Sequence, residues 1–497
     1  MQIETRIGRA KAIRRFRFYT AILLLPALAL MNSCSGKSGD GSAGQQVVLA
    51  RVEVPRYLED VNLPVYLDLK DGNDTYYALV IASINRLNAA GVSYTKIDEY
   101  TSGTRYLVAL EDEDGDRAEA AGEAQVLYDD GKHIIVRYRP GVPETLSEIG
   151  FDLKLMSDAP INSVVADAGI GVRLLPALSA QKTVINPTVT VDAKVQAMIN
   201  AVSETRVTSF IKDLSGESQI TVGGAAYTIT TRHTESGTPL ANAIQYVSDR
   251  LTALGLTVST PQWTFQWYDQ LLTNKNVVGE ITGQDTPDEI IILIAHLDSI
   301  AKPEDGAAPG ADDDASGCAA LLEAASIMKA YTFGRTVRFV FTTGEEQSIF
   351  GGEAYAKKMA DENRNIVAVI NLDMIGYTNA VAPALPRMQV KTRSSKNQTG
   401  YNMDLPVANT YLNVVSAYGL NTSIDAIFWD DGEAASDHSP FWDRKYPAIW
   451  LIEYAEKGFI NPKMHKPEDR LNFMKNTFYT AIIKAFVGTA AHLAGVK

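Results

Sequence analysis

The stretch "IIILIAHLDSI", residues 290–300, decides the fold. An unbroken apolar run that stops abruptly at His296 and Asp298 fits a strand buried on both faces whose carboxyl end opens onto something polar. The segments that follow repeat the theme: a helix in "SGCAALLEAASIMKAY", a strand in "TVRFVFTT", a helix in "GGEAYAKKMA", a strand in "NIVAVINLD". Alternation of this kind predicts an α/β fold with a mainly parallel central sheet and helices on both faces. Open sheets of that type take their ligands at the carboxyl ends of the strands.

Three of the apolar runs end in ionisable groups: "IAHLD" at His296 and Asp298, "FTTGEE" at Glu345 and Glu346, and "INLDM" at Asp373. Between the first two, the loop "PGADDDASG" carries Asp312, Asp313 and Asp314 directly before a helix. Each piece alone has an ordinary explanation: a core histidine, a helix cap, a solvated turn. Gathered on one sheet edge they would repel one another unless a cation sat among them. Imidazole and carboxylate donors without thiolate suit zinc, with manganese or cobalt as alternatives.

These residues resemble the zinc aminopeptidase family that includes the bacterial leucyl aminopeptidases, glutamate carboxypeptidase and glutaminyl cyclase, over roughly residues 195–497. The family pattern is a His-x-Asp, an Asp-rich loop ending in Ser-Gly, a Glu-Glu, an Asp after a strand, and a late His in a His-Thr-Pro-x-Asp segment. The resemblance implies two Zn²⁺ ions. It places His296 and Asp373 on one, Glu346 and His465 of "NPKMHKPEDRL" on the other, and Asp313 between them. Lys466 stands where the family has Thr. Glu345, next to a ligand, is the implied general base, and Asp298 the implied acceptor for the second imidazole N–H of His296. "ASDHSPF" is also family-like, and the resemblance leaves Ser436, Asp437 and His438 lining the substrate pocket rather than binding metal. In the aminopeptidase branch a tyrosine shortly before that segment assists the oxyanion. Counting back gives Glu433 here, so that role stays unassigned.

Upstream, "VDAKVQAMINAVSETRVTSFIKDLSG" and "LANAIQYVSDRLTALG" have helical apolar spacing, and "NVVGEITG" reads as a strand. Residues 191–497 form the expected zinc peptidase domain. Residues 47–190 form an expected accessory α+β domain, with a helix in "TYYALVIASINRLNAAGVSY" and a hairpin in "AQVLYDDGKHIIVRYRPG" around an Asp-Gly turn. His133 falls within that hairpin as a strand residue, and the domain holds no cluster of potential catalytic groups.

At the N-terminus, "RIGRAKAIRRFR" precedes the apolar run "FYTAILLLPALALM", too short for a comfortable span and suited to a secretory signal. Cys34, at the head of the Gly/Ser-rich segment 34–46, gives residues 1–34 a resemblance to a bacterial lipoprotein signal, although Met31 and Asn32 depart from its commonest form. The expectation is an exported protein anchored through lipid on Cys34, in the periplasm or at the cell surface, with the membrane contacted through that anchor only. An ordinary signal peptide cut nearby is the alternative. The other cysteine, Cys318, reads as a packed helix residue, so no disulfide framework is expected.

The whole chain has 497 residues, 46% hydrophobic and 21% charged, which bounds it as globular with two folded parts. Its net charge of -13 excludes a general affinity for nucleic acid. The expected partner is a peptide. The expected activity is removal of N-terminal residues by a metal-activated water with a Glu base. A carboxypeptidase or dipeptidase, a glutaminyl cyclase, and a non-catalytic binding protein on the same scaffold stay open at this point.

Overall fold

The computed structural model describes residues 46–497 apart from 55, 112–114, 163–187, 268–269, 302–306 and 457. The expected signal peptide (1–33), Cys34 and all but the last residue of the tether (34–46) lie outside the described residues, as does the 163–187 portion of the expected accessory domain. Among the described residues no helix is long and apolar enough to cross a membrane.

The apolar run that opens the sequence reading is the strand Thr286–His296. It lies inside an eight-stranded sheet, parallel to Arg335–Thr342 on one side and to Asn365–Leu372 on the other. Ala448–Glu453 continues the parallel set beyond Asn365–Leu372. Antiparallel pairings flank this centre, from Val277–Ile281 on one side and Arg387–Lys391 on the other. The fold is therefore α/β with a sheet that is parallel in its middle and mixed at its margins.

The run lacks alternation because both faces are covered. Ile291, Leu293 and Ala295 enter a large core beneath helices that include Ala315–Met328 and Asn476–Ala494. Ile290, Ile292 and Ile294 enter a second core beneath the helix Phe350–Asp361. Each of the isoleucine and leucine side chains contributes about 1.5–3 kcal/mol of burial, so the register of this strand is strongly held.

Two local expectations change. Residues 191–216 are two helices, Ala193–Ala201 and Glu204–Leu214. The break falls at Ser203, whose hydroxyl accepts the Arg206 amide, while buried Glu323 accepts the Ser203 amide and the Arg206 guanidinium. A cap and a buried acid together outweigh continuous helical spacing. In residues 75–94 the expected helix is instead a strand, Tyr76–Ser83, followed by a short helix Ile84–Ala89. Seven of the eight strand residues are buried, so the apolar spacing reflects two covered faces rather than a helical stripe.

That strand belongs to the N-terminal part, which builds two four-stranded antiparallel sheets with cores of their own. The expected hairpin is present as Val126–Asp129 and His133–Arg137. The N-terminal sheets dock on the α/β part through a buried ion pair, with Lys154 Nζ donating to Asp443 Oδ2 at 3.0 Å. The Leu58 amide donates to the Lys396 carbonyl at 2.7 Å, and Glu59 accepts the Thr399 amide at 2.6 Å at the start of the helix Gln398–Ala417. The Tyr138 hydroxyl donates to the Gln266 carbonyl, and its ring packs beside Trp263 and Phe350.

Removing one member of a buried ion pair leaves a charge without a partner. Lys154→Ala is expected to lower unfolding stability by about 3–5 kcal/mol, read by urea denaturation. The double replacement K154M/D443L should recover most of that loss; an unchanged midpoint in the single variant would show that the pair does not hold the two parts together.

Candidate metal centre

The parallel register sends the carboxyl ends of four strands to one edge, and each delivers part of the site. His296 is the last residue of Thr286–His296, and Asp373 directly follows Asn365–Leu372. Glu345 and Glu346 lie just past Arg335–Thr342, and His465 lies in the loop after Ala448–Glu453. Asp313 arrives on the loop before the helix Ala315–Met328.

These side chains form two sets that share one residue: His296, Asp313 and Asp373, and Asp313, Glu346 and His465, with the donor atoms of each set within 4.8 Å of one another. His296 Nε2 is 3.0 Å from Asp313 Oδ1 and 3.5 Å from Asp373 Oδ1. His465 Nε2 is 3.2 Å from Asp313 Oδ2 and 3.1 Å from Glu346 Oε2. The two oxygens of one carboxylate thus face different imidazoles. Donors bonded tetrahedrally to zinc at about 2.0–2.1 Å stand about 3.3 Å apart, and the four separations bracket that spacing. The remaining oxygen of Glu346, Oε1, is buried without a hydrogen-bond partner. Chemistry and spacing both fit a metal.

The electrostatics point the same way. Burial, with Asp373, Glu346 and Asp437 close by, pushes the Glu345 carboxyl well above its ordinary range against the opposing pull of His296. Burial likewise raises Asp312 to about 6 and Asp437 to about 7. Burial acts upward on Asp313 too, but the hydrogen bonds and charges of His296 and His465 outweigh it and hold that carboxyl far below its usual value. So much buried acid at one edge calls for positive charge.

Supporting contacts explain why these donor groups point inward. Asp314 caps the helix by accepting the Gly317 amide at 2.8 Å and also accepts the His296 amide at 3.2 Å. Asp312 accepts the Gly376 amide and an Asn461 Nδ2 hydrogen. Asp469, four residues beyond His465, accepts the amides of Asp312 and Asp313, so it ties the bridging loop to the histidine loop. Ser436 Oγ donates to Asp373 Oδ2 at 2.6 Å. His465 itself sits at φ 56°, a left-handed backbone that a non-glycine residue holds only when its surroundings enforce it.

Several sequence expectations need restating. His296 Nδ1 meets the main-chain carbonyl of Asp298 at 3.2 Å, with the Asp298 carboxylate at 3.8 Å. That carboxylate instead accepts the amides of Glu345 and Glu346, each at 3.3 Å, and the Thr234 hydroxyl. Asp298 therefore positions the Glu-Glu turn, and its backbone serves the imidazole. Asp437 and His438 are fully buried and lie behind the pocket wall rather than on it. Asp437 accepts the Thr342 hydroxyl; His438 Nε2 donates to the Glu433 carbonyl at 2.8 Å, its ring between Trp442 and Trp450. Cys318 is a buried thiol in the main core, its Sγ against the His296 carbonyl. His133, His233 and His492 take no part in either donor set. Asp469 and Ser436 have support roles that sequence reading did not assign, and the Asp in "HKPED" was the one available signal.

The centre opens into a pocket of about 440 Å³ lined by His296, Asp313, Glu345, Glu346, Asp373 and His465. Met374, Ala435, Trp450, Ile452, Ile460 and Met464 give it an apolar wall.

An α/β sheet whose strand ends present a buried imidazole and carboxylate centre to a pocket defines the class, an α/β scaffold with a candidate metal site at its strand ends. Residues 276–489 match the family model described as Peptidase family M28. It is similar to Leucine aminopeptidase 1 of Aspergillus oryzae, 27% identical over 268 residues, which are 52% of this chain and 65% of that protein. The chain thus spans just under two thirds of the length of that relative. It is also similar to Leucine aminopeptidase 1 of Paracoccidioides brasiliensis, 26% identical over 60% of this chain and 77% of that one. In fold it matches the LapA aminopeptidase of Legionella pneumophila, with a TM-score of 0.57 at 20% identity, over 80% of this chain and 99% of the other.

Asp469 holds the bridging loop in place, so Asp469→Ala is expected to weaken metal affinity about 10–100-fold. Titration of the apo-protein with zinc against a chromogenic chelator measures this, and an unchanged affinity would remove Asp469 from the support of the centre.

Proposed function

We propose that the protein is a two-zinc aminopeptidase that removes N-terminal residues from peptides by a water reaction with Glu345 as general base. The observation that carries this reading is Asp313: its two oxygens face separate imidazole and carboxylate sets, and Glu345 stands beside them in the same pocket. His296, Asp313 and Asp373 would hold one ion, and Asp313, Glu346 and His465 the other. When bound, zinc in such a site activates water near neutral pH and polarises a carbonyl oxygen.

The chain's own residues do the rest. Glu345 is held by its amide against Asp298, which fixes the turn and leaves the side chain facing the pocket. From there it takes the proton of the attacking water and returns it to the departing amine. Ser436 fixes one oxygen of Asp373 and leaves the other toward His296. The apolar wall formed by Met374, Trp450, Ile452 and Met464 suits an apolar first side chain and keeps water from it. The aminopeptidase relatives favour this reading over a carboxypeptidase or a cyclase, and the complete donor set favours it over a binding protein.

Glu345→Gln is expected to keep stoichiometric zinc and lose about 10²–10⁴-fold in kcat, with undiminished hydrolysis refuting the base. Digestion of a peptide library with free and acetylated N-termini, followed by mass spectrometry, tests the class: only free termini should be shortened, one residue at a time. Loss of N-terminal Gln reactivity without cleavage would indicate cyclisation instead.

We also propose export and lipid anchoring at Cys34. Metabolic labelling with a fatty acid should mark the parent protein and not Cys34→Ala, and label persisting in the variant would refute it.

A further inference from the structure

The pocket is not made by the peptidase part alone. Lys70, Leu110 and Lys132 of the N-terminal sheets line it together with the metal-site residues. A contact between the two parts lies at the pocket: Lys132 Nζ is 3.7 Å from Glu433 Oε2.

Both ends of that crossing are braced. Lys132 sits in the hairpin turn, where Asp130 Oδ1 accepts the amides of Lys132 and His133 and Asp130 Oδ2 accepts the Tyr77 hydroxyl. Behind the turn the Gly72 amide donates to the Asp130 carbonyl at 3.2 Å, and a Cβ on Gly72 would come within 3.1 Å of the Gly131 backbone. Backbone therefore lies against backbone, and the hairpin has no room to retreat. On the other side Glu433 accepts Lys391 Nζ at 2.8 Å through its carboxylate and His438 Nε2 through its carbonyl. Behind both, the buried Lys154–Asp443 pair fixes the N-terminal sheets to the α/β part.

A partly exposed ion pair at this distance is weak by itself. What holds Lys132 at the pocket is the braced hairpin rather than the ion pair. From this geometry, and resting on the aminopeptidase reading above, we infer that the N-terminal sheets set the length of substrate: Lys132, bridged to Glu433, closes one side of the pocket. The protein therefore processes short peptides that fit beneath the hairpin and turns away long chains. Lys132 is then a specificity-determining residue supplied from outside the metallopeptidase domain.

The test compares the zinc-loaded full chain on two Leu-first peptides of three and ten residues that share their first three residues. The tripeptide is expected to have at least a tenfold higher kcat/KM. Lys132→Ala should shrink that ratio about fivefold or more, chiefly through a lower KM for the decapeptide. Lys132→Glu, which replaces attraction to Glu433 by repulsion, should move it further the same way, and Lys132→Arg should restore it. Equal cleavage of both lengths by the parent overturns the inference and leaves the aminopeptidase reading standing, as does a ratio unmoved by Lys132→Ala and Lys132→Glu. A zinc-loaded parent that shortens neither peptide overturns both.

Discussion

The structure depends on a single shared carboxylate. Asp313 offers one oxygen to His296 and the other to His465, and its neighbours extend the effect. Within three consecutive residues, Asp312 turns to Gly376 and Asn461, Asp313 to the two imidazoles, and Asp314 to the amides of His296 and Gly317. One short loop therefore joins a strand end, a helix start and two later loops. Three adjacent acids that shared a direction would destabilise the fold. Sent three ways, each meets donors, and only Asp313 is left facing the place where a cation belongs.

This arrangement makes demands on everything beneath it. Gly317 must lack a side chain, because a Cβ there would fall 2.5 Å from the Leu372 carbonyl and 2.6 Å from the Asp314 carboxylate. The helix Ala315–Met328 consequently lies directly against the strand end that delivers Asp373. The parallel register carries the same requirement, since slipping Thr286–His296 by one residue would exchange its two apolar sets between the cores and turn His296 to the opposite face. Core packing and site geometry are in this sense one constraint.

Much of this was legible in the sequence, for a physical reason. A strand covered on both faces has to be apolar throughout, so an ionisable group at its carboxyl end stands out, and His296, Glu345, Glu346 and Asp373 are visible on that basis. The same property misleads in residues 75–94, where two covered faces mimic helical spacing. Roles that depend on the main chain were not legible: Asp298 serves the amides of Glu345 and Glu346, and no residue pattern encodes that choice. The position of the N-terminal sheets was hidden as well. Lys132 and Glu433 are far apart along the chain, and a lone lysine after an Asp-Gly turn carries no sign of where it points.

His438 shows how a family-like segment can act without touching substrate. Its Nε2 faces a carbonyl and so must donate, while its Nδ1 is buried without a partner between two tryptophans. A charged ring there would need a second acceptor, and Nδ1 has none. Burial accordingly pulls its pKa down to about 3, against the favourable pull of the Glu433 carbonyl. The imidazole stays neutral over the range in which exposed histidines titrate, so its hold on the Glu433 backbone does not vary there. Because Glu433 also receives Lys391 and faces Lys132, that neutral ring anchors the point where the two parts of the chain meet over the pocket. The Ser436-Asp437-His438 segment thus divides its work: the serine orients Asp373, the aspartate fastens to Thr342 at a strand end, and the histidine fixes the wall.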